Sequence, residues 1–375
     1  MTRYAFVHEW LTPHATGGSE LVVKEILQHL DADLFALIDF ESSNPKSYLY
    51  DRNIGTSFLQ GFPRAKYGLQ NYLPLMPIAI EQLNLENYDV ILSSSHAVAK
   101  GVITRPQQLH ICYCHTPMRY AWDLTFDYLN NSGLGKGVKG LVARYFLHRL
   151  RQWDVISANQ VDYFIANSKW TAQRIWRCYR REAEVIYPPV NIERFPFVEQ
   201  KEDFYVTVSR LVPYKKVSLI VEAFNELGKN LVVIGGGKEL EYLRAIAKPN
   251  IKILGRQPDD VVEKYMSEAK AYVYAGCEDF GIVLVEAQAC GTPVIAFGQG
   301  GATETVRDIR NSSFGTGILF SEQSTQSLVA AVNSFEQHQT QISAEACLQQ
   351  AKRFTSDIFW QSYVEFVNNC QEKSE

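Results

Sequence analysis

Two carboxylates, Glu278 and Glu286, stand eight residues apart in CEDFGIVLVEAQACGTPVIAF, residues 277–297, flanking a hydrophobic run that ends in Gly-Thr-Pro and a second apolar run. Such a pair suits either a general acid with its base or two acceptors for hydroxyl groups. Arg210 and Lys215, in SRLVPYKK, follow an apolar run and are folded back by the turn that Pro213 enforces. An arginine fork and a lysine point charge at one strand end suit a diphosphate, with Lys216 competing for the place of Lys215. Gly281 lets the chain turn and lets a ligand approach the amides of Phe280, Gly281 and Ile282.

Glycine loops add a second kind of anion seat. Gly17 and Gly18, in GGSE, open the first helical pattern, where backbone amides point outward, and Gly236 in GGG at 235–237 is the counterpart later in the chain. The latter is not GxGxxG and has no convincing acid about twenty residues on, so a dinucleotide site is a poor fit. Carboxylates that accept from hydroxyls, beside cations that hold phosphates, fit a ligand carrying both, a nucleotide sugar. His115, after QLHICYC, and His96, in SSSHAVAKG, each follow an apolar run; Arg119, Tyr120, Trp122 and Asp123 come next and could shape an acceptor pocket, with aromatic faces stacking on sugar rings. Asp31-Ala32-Asp33 falls in the turn between a helix and a strand, and no metal is expected there.

These residues need elements to hold them. Apolar runs RYAFVH, LFALIDF, YDVILSSS, QLHICYCH and VDYFIANS alternate with helical patterns at LVVKEILQHL, about 137–153 and KWTAQRIWRCY. Pro188, Pro189 and Pro196 then break the pattern in VIYPPVNIERFPF, the best linker in the chain. A second series follows, from FYVTVSRL through VSLIVEAFNEL, NLVVIGGG, KELEYLRAIA, IKILG, DDVVEKYMSEA, AYVYAG and VLVEAQACG to PVIAF, and a last helical pattern, SDIFWQSYVEFVNN, comes after it. Strands alternating with helices predict α/β architecture with parallel sheets covered on both faces, and motifs at strand ends predict ligands at the carboxyl ends. A chain of 375 residues suits two such domains. A net charge of −4 gives no support to a nucleic-acid partner, and seven scattered cysteines without Cys-x-x-Cys spacing fit a reducing compartment. No leader with a basic and an apolar part precedes the first strand and no run approaches about 18 apolar residues, so neither a signal peptide nor a membrane-spanning helix is expected.

RLVPYK, EDFGIVLVEAQACGTPVIA with its two glutamates, and GGATETV together resemble the retaining glycosyltransferases of family four, with support from GGSE, IYPPVNIERF and the tryptophan-containing C-terminal pattern. SSSHAVAKG and CYCHTPMRYAWD resemble a bacterial subgroup that builds O-antigen and exopolysaccharide. The resemblance implies the GT-B fold: two Rossmann-like doubly wound domains facing a central cleft, 1–188 on the acceptor side and 189–356 binding the donor, with a C-terminal helix, about 357–375, crossing back to the first. It implies that Glu278 holds hydroxyls of the donor sugar and Glu286 those of the ribose, that Arg210 and Lys215 stabilise the leaving diphosphate with the amides of Phe280 to Ile282, and that His115 faces the donor sugar. The segment 255–258, with Arg256, would meet the base. Neither metal nor cofactor is implied.

UDP-glucose and GDP-mannose both fit such a donor site, and the expectation leans narrowly to UDP-glucose. The acceptor expected is a saccharide or lipid-linked saccharide. KGVKGLVARYFLHRLRQW carries Lys136, Lys139, Arg144, Arg149 and Arg151 with no acid among them, interleaved with Val142, Phe146, Leu147 and Leu150, a pattern suited to peripheral contact with an anionic membrane from the cytoplasmic side. Rival functions are a nucleotide-sugar epimerase or hydrolase, which would need no acceptor, and a binding protein without turnover.

Overall fold

Thirteen strands form in two all-parallel sheets in the computed structural model, which describes residues 2–13, 17–312 and 314–374. The first sheet comprises β1 (Tyr4–His8), β2 (Asp33–Ala36), β3 (Ile54–Thr56), β4 (Val90–Ser95), β5 (Leu109–Cys114), β6 (Tyr163–Ala166) and β7 (Ala183–Val185), in the order β3-β2-β1-β4-β5-β6-β7. The second comprises β8 (Glu202–Val208), β9 (Leu231–Ile234), β10 (Ile251–Gly255), β11 (Ala269–Tyr274), β12 (Val294–Phe297) and β13 (Gly317–Phe320), in the order β10-β9-β8-β11-β12-β13. Both are doubly wound. The order reverses beside the first strand of each, at β1/β4 and at β8/β11, and such a switch point opens a crevice at the carboxyl ends.

Parallel strands covered on both faces read as continuous apolar runs, and every residue of β4, β5, β9 and β12 is buried. The helices bury one stripe each. Helix Val217–Leu227 turns Val217, Ile220, Val221 and Phe224 inward at helical spacing, and Gly228 in the left-handed conformation ends it. The expected helix at KWTAQRIWRCY runs over Lys169–Tyr179, with the Ser168 hydroxyl accepting from the Thr171 amide at its start. The helix expected to end near Trp153 continues to Ala158.

By internal contacts the chain divides into Met1–Pro188 with Phe359–Glu375, and Pro189–Ile358. Helix Ser356–Ser374 buries Phe359, Tyr363, Val367 and Cys370 in the core that holds Phe6, Leu92 and Tyr113. Phe359 meets the Tyr113 ring edge-on at 5.9 Å.

Several elements went unread in the sequence. Short strands β3, β7 and β13 carry little periodicity, and helices Thr325–His338 and Ala344–Ala351 lie in the stretch where no element was expected. The first of these helices buries Leu328, Ala331, Val332 and Phe335, a legible helical stripe.

One buried ion pair anchors the first unit. Lys100 and Asp154 are 1% and 0% exposed and bonded to each other. The Asp154 carboxylate also accepts from the Trp122 indole at 2.7 Å and the Tyr179 hydroxyl at 2.9 Å. Such a pair tolerates burial because its remaining lone pairs are satisfied.

His8, His110 and His115 are buried in the same unit, and desolvation holds all three below the usual histidine value, His110 at about 4. A histidine kept neutral in the fold and protonated when unfolded contributes stability that is complete above pH 6.5 and is lost as the pH falls toward the folded value. Wild-type and His110→Gln proteins unfolded in urea at pH 6.5, 5.75 and 5 should therefore differ by an amount that changes by about 1 kcal/mol per pH unit, the wild type losing more. A constant difference would mean that His110 titrates normally.

Candidate active site

In the second unit, the loop after β8 carries both cations. Pro213–Lys215 makes one 3₁₀ turn, and Lys216, left-handed at φ 54°, starts the following helix. This turn separates the two competing lysines. The Lys215 ammonium donates to Glu278 Oε1, while Lys216 is exposed and the carboxyl it influences is Glu239. Arg210 donates to the Tyr214 hydroxyl at 2.8 Å.

Glu278 sits just past β11, whose last residue, Tyr274, donates its hydroxyl to the same Glu278 Oε1. The Lys215 ammonium lies 5.4 Å from the Tyr214 ring centre and 5.7 Å from that of Tyr274, within cation-π range. Glu278 is locked from behind: the Gly301 amide donates to its carbonyl at 2.9 Å, and a Cβ at Gly300, itself at φ 74°, would lie 2.2 Å from that carbonyl. A Cβ at Gly301 would come within 2.1 Å of the Phe280 carbonyl, so both glycines of GGATETV are required by close backbone approach. Gly281, left-handed at φ 85°, then caps helix Ile282–Ala289, whose first amides open beside Glu278.

Glu286 lies in that helix, half-buried. Burial pushes its carboxyl up to about 7, against the pull of Arg194 and with the help of Asp259 and Glu263. Arg194 in turn bonds Asp259 at 3.1 Å and Glu263 at 2.5 Å. Gly235 and Gly237 press on the backbone of Ser209 and Leu211, whereas Gly236 has only Arg256 near its open face, at 3.7 Å. Arg256 itself is exposed.

In the first unit, β1, β4 and β5 are neighbours and bring His8, His96 and His115 to one end of the sheet, with His96 6.1 Å from His8 and 6.4 Å from His115 between ring centres. His8 Nδ1 lies 3.2 Å from the Ser94 carbonyl, which can only accept, so this nitrogen carries the proton. Ser94 Oγ lies 3.2 Å from the same nitrogen and 2.8 Å from His115 Nε2, so one hydroxyl links the two rings. Glu9 is fully buried and accepts from the Ser95 hydroxyl and the amides of His96, Ala97, Val98 and Ala99. Burial opposes its charge, but His96 and these amides outweigh it and hold the carboxyl below the usual range. The loop that presents His96 is thereby fixed.

Gly17 caps helix Gly18–His29, but the Glu20 carboxylate folds back to within 3.1 Å of the place its Cβ would take. Of the residues before that helix, 14–16 lie outside the described residues. Of the expected acceptor residues, Asp123 is bonded to Arg174 at 2.7 Å, and the Tyr120 ring lies 5.8 Å from that of Tyr128. Trp122, besides bonding Asp154, lines a groove of about 800 Å³ with Arg149, Arg151, Trp153 and Ile156. Asp33 accepts from the Tyr88 hydroxyl at 2.8 Å and stands where β2 begins, away from the carboxyl ends. No cluster of metal-ligating side chains occurs among the described residues.

His8, Glu9, Tyr274 and Arg194 were not singled out from the sequence. His8 and Glu9 had a signal, a polar pair closing the first apolar run; Tyr274 reads as one more strand residue, and Arg194 sits in the linker.

Residues 16–194 match the family described as Glycosyltransferase Family 4, and residues 190–354 that described as Glycosyl transferases group 1. An uncharacterized glycosyltransferase of Methanocaldococcus jannaschii is 25% identical over 368 residues, 95% of each chain. A GDP-mannose-dependent alpha-(1-6)-phosphatidylinositol monomannoside mannosyltransferase of Mycolicibacterium smegmatis is 29% identical over 199 residues, 44% of this chain and 50% of its own. Among solved structures, Anabaena HepE in complex with UDP superposes with a TM-score of 0.68 at 17% identity, over 98% of this chain and 100% of its own. With two consecutive matches spanning 16–354 and two doubly wound parallel sheets, the chain belongs to the glycosyltransferases of family four, with the GT-B fold.

Proposed function

We propose that the chain is a retaining hexosyltransferase of polysaccharide assembly that moves glucose from UDP-glucose to a saccharide or lipid-linked saccharide. The observation that carries this is the gathering of Arg210, Lys215 and Glu278 at the carboxyl ends of β8 and β11. Arg210 and Lys215 take the diphosphate, with the amides of Phe280 to Ile282 as neutral donors. Glu278, paired with a lysine ammonium, stands as a carboxylate, a hydroxyl acceptor and no general acid. Glu286 receives the ribose hydroxyls, Gly236 and Arg256 flank the nucleotide, and His115 faces the donor sugar.

The bond from the sugar's anomeric carbon to the diphosphate breaks as the acceptor oxygen adds on the same face, and the acceptor proton passes to the departing diphosphate. Charge developing on that leaving group meets cations already in place, so Lys215→Ala should lower turnover about 100- to 1,000-fold. Support for UDP-glucose is that HepE, of the same fold, was also solved with UDP-glucose. GDP-mannose is the rival, favoured by the name of the mycolicibacterial relative. Calorimetric titration with UDP and with GDP, in chelator, decides between them: one should bind, and Lys215→Ala should lose that binding. Binding of neither, or full binding by Lys215→Ala, would overturn the phosphate site.

Glu286 gives the same titration a pH dependence. Ribose hydroxyls donate to the ionised carboxylate, so binding at a group poised at about 7 releases a proton. Affinity should fall as the pH drops below 7, by up to about tenfold per unit, and Glu286→Gln should flatten that part of the profile. An unchanged slope in the variant would remove Glu286 from the ribose site.

No helix among the described residues is long and apolar enough to cross a membrane. Helix Gly137–Ala158 exposes Val138, Leu141, Val142, Tyr145 and Phe146 beside Lys139 and Arg144 and follows Lys136, which supports peripheral attachment to anionic lipid for a lipid-linked acceptor; Leu150, expected on that face, is buried. Flotation should recover the protein with vesicles containing anionic lipid and far less with neutral ones, and Leu141→Glu with Tyr145→Glu should abolish recovery. Equal recovery of the double variant would place the attachment elsewhere.

A further inference from the structure

Lys215 and Glu278 have separate duties toward a nucleotide sugar, one to the diphosphate and one to the sugar, yet they are bonded to each other. Both are mostly withdrawn from water, their side chains 16% and 19% exposed, so parting them is not a surface event. The two aromatic rings beside the ammonium attract it without neutralising it. The carboxylate is tethered too, its backbone held by Gly300 and Gly301 and its Oε1 by the Tyr274 hydroxyl.

We infer that the Lys215–Glu278 pair is an ion exchange that distinguishes the intact donor from the spent nucleotide, with Tyr274 as the residue that positions it. An intact nucleotide sugar replaces both halves together: its diphosphate takes the ammonium, and its sugar hydroxyls donate to the carboxylate. A bare nucleoside diphosphate replaces one half only. It draws Lys215 away and faces a carboxylate whose cation has been taken, so like charges oppose in a partly desolvated place. Arg210 makes the approach possible, since it is exposed and bonded to a neutral hydroxyl, and it can meet a phosphate before the pair opens. The device thus favours loading by the donor and departure of the product.

The inference rests on the phosphate-site reading above, and one set of titrations separates the two. Wild type, Glu278→Gln, Tyr274→Phe and Lys215→Ala are each titrated with UDP, UDP-glucose, GDP and GDP-mannose, after thermal melts show which variants are folded. Glu278→Gln keeps the shape and an acceptor for Tyr274 but releases the ammonium, so it should bind the nucleoside diphosphate at least about 5-fold more tightly, the lower end of ordinary coupling between linked groups. Its preference for the intact nucleotide sugar over that diphosphate should shrink. Tyr274→Phe moves the other way: the carboxylate, with one donor fewer, grips Lys215 harder, and diphosphate binding should weaken. A merely structural Tyr274 or Glu278 would weaken all the nucleotides alike. Unchanged or weaker diphosphate binding by folded Glu278→Gln, while Lys215→Ala loses it, would overturn the exchange and leave the phosphate site standing. Retained binding by Lys215→Ala would overturn both.

Discussion

The position of Glu278 rests on two backbones that touch. The chain after β11 and the chain after β12 approach so closely at Glu278, Phe280, Gly300 and Gly301 that neither glycine has room for a side chain. Everything local follows from that approach. It fixes a carboxylate at the end of a buried strand, aims it at the lysine of a different loop and leaves the start of helix Ile282–Ala289 open beside it. A similar constraint joins the loops after β8 and β9, where Gly235 and Gly237 meet the backbone of Ser209 and Leu211. Loops are usually the soft part of a doubly wound unit; here glycine makes them rigid by removing the atoms that would keep them apart.

The first unit solves its own problem with charge. Glu9 is fully buried, and His96, four backbone amides and a hydroxyl favour its ionised form. Lys100 and Asp154 satisfy each other with help from Trp122 and Tyr179. These groups would be costly if left unmet, so each pins a segment: Glu9 the loop of His96, Asp154 the side chain of Trp122. Trp122 is therefore a structural donor as well as a groove wall, which composition alone could not separate.

How much was legible depended on how repetitive the constraint was. Buried parallel strands such as YDVILSSS and amphipathic helices such as VSLIVEAFNEL announce themselves because many residues repeat one environment. Four-residue strands such as β9 and β12 were legible as uninterrupted apolar runs, whereas β3 and β7, three residues each, are too short to show one, and β13 lies in a stretch where no element was expected. The cations and glutamates of the second unit were legible because unlike chemistries recur at strand ends. Tyr274 was not, since its hydroxyl leaves the strand only in three dimensions, and the ring of His115 is bonded by a serine 21 residues earlier in the chain.

The helix that begins at Ser356 has a consequence for how the protein is made. Four of its side chains complete the core around Phe6 and Tyr113, yet it is synthesised after every strand of the second unit. Domains tend to fold in the order in which they leave the ribosome, at about 5–20 residues per second. Here that order is inverted: the second unit has all its strands first, while the first waits tens of seconds with the seat for Phe359, Tyr363 and Val367 open. A nascent chain of this protein is therefore most vulnerable to aggregation through its oldest part.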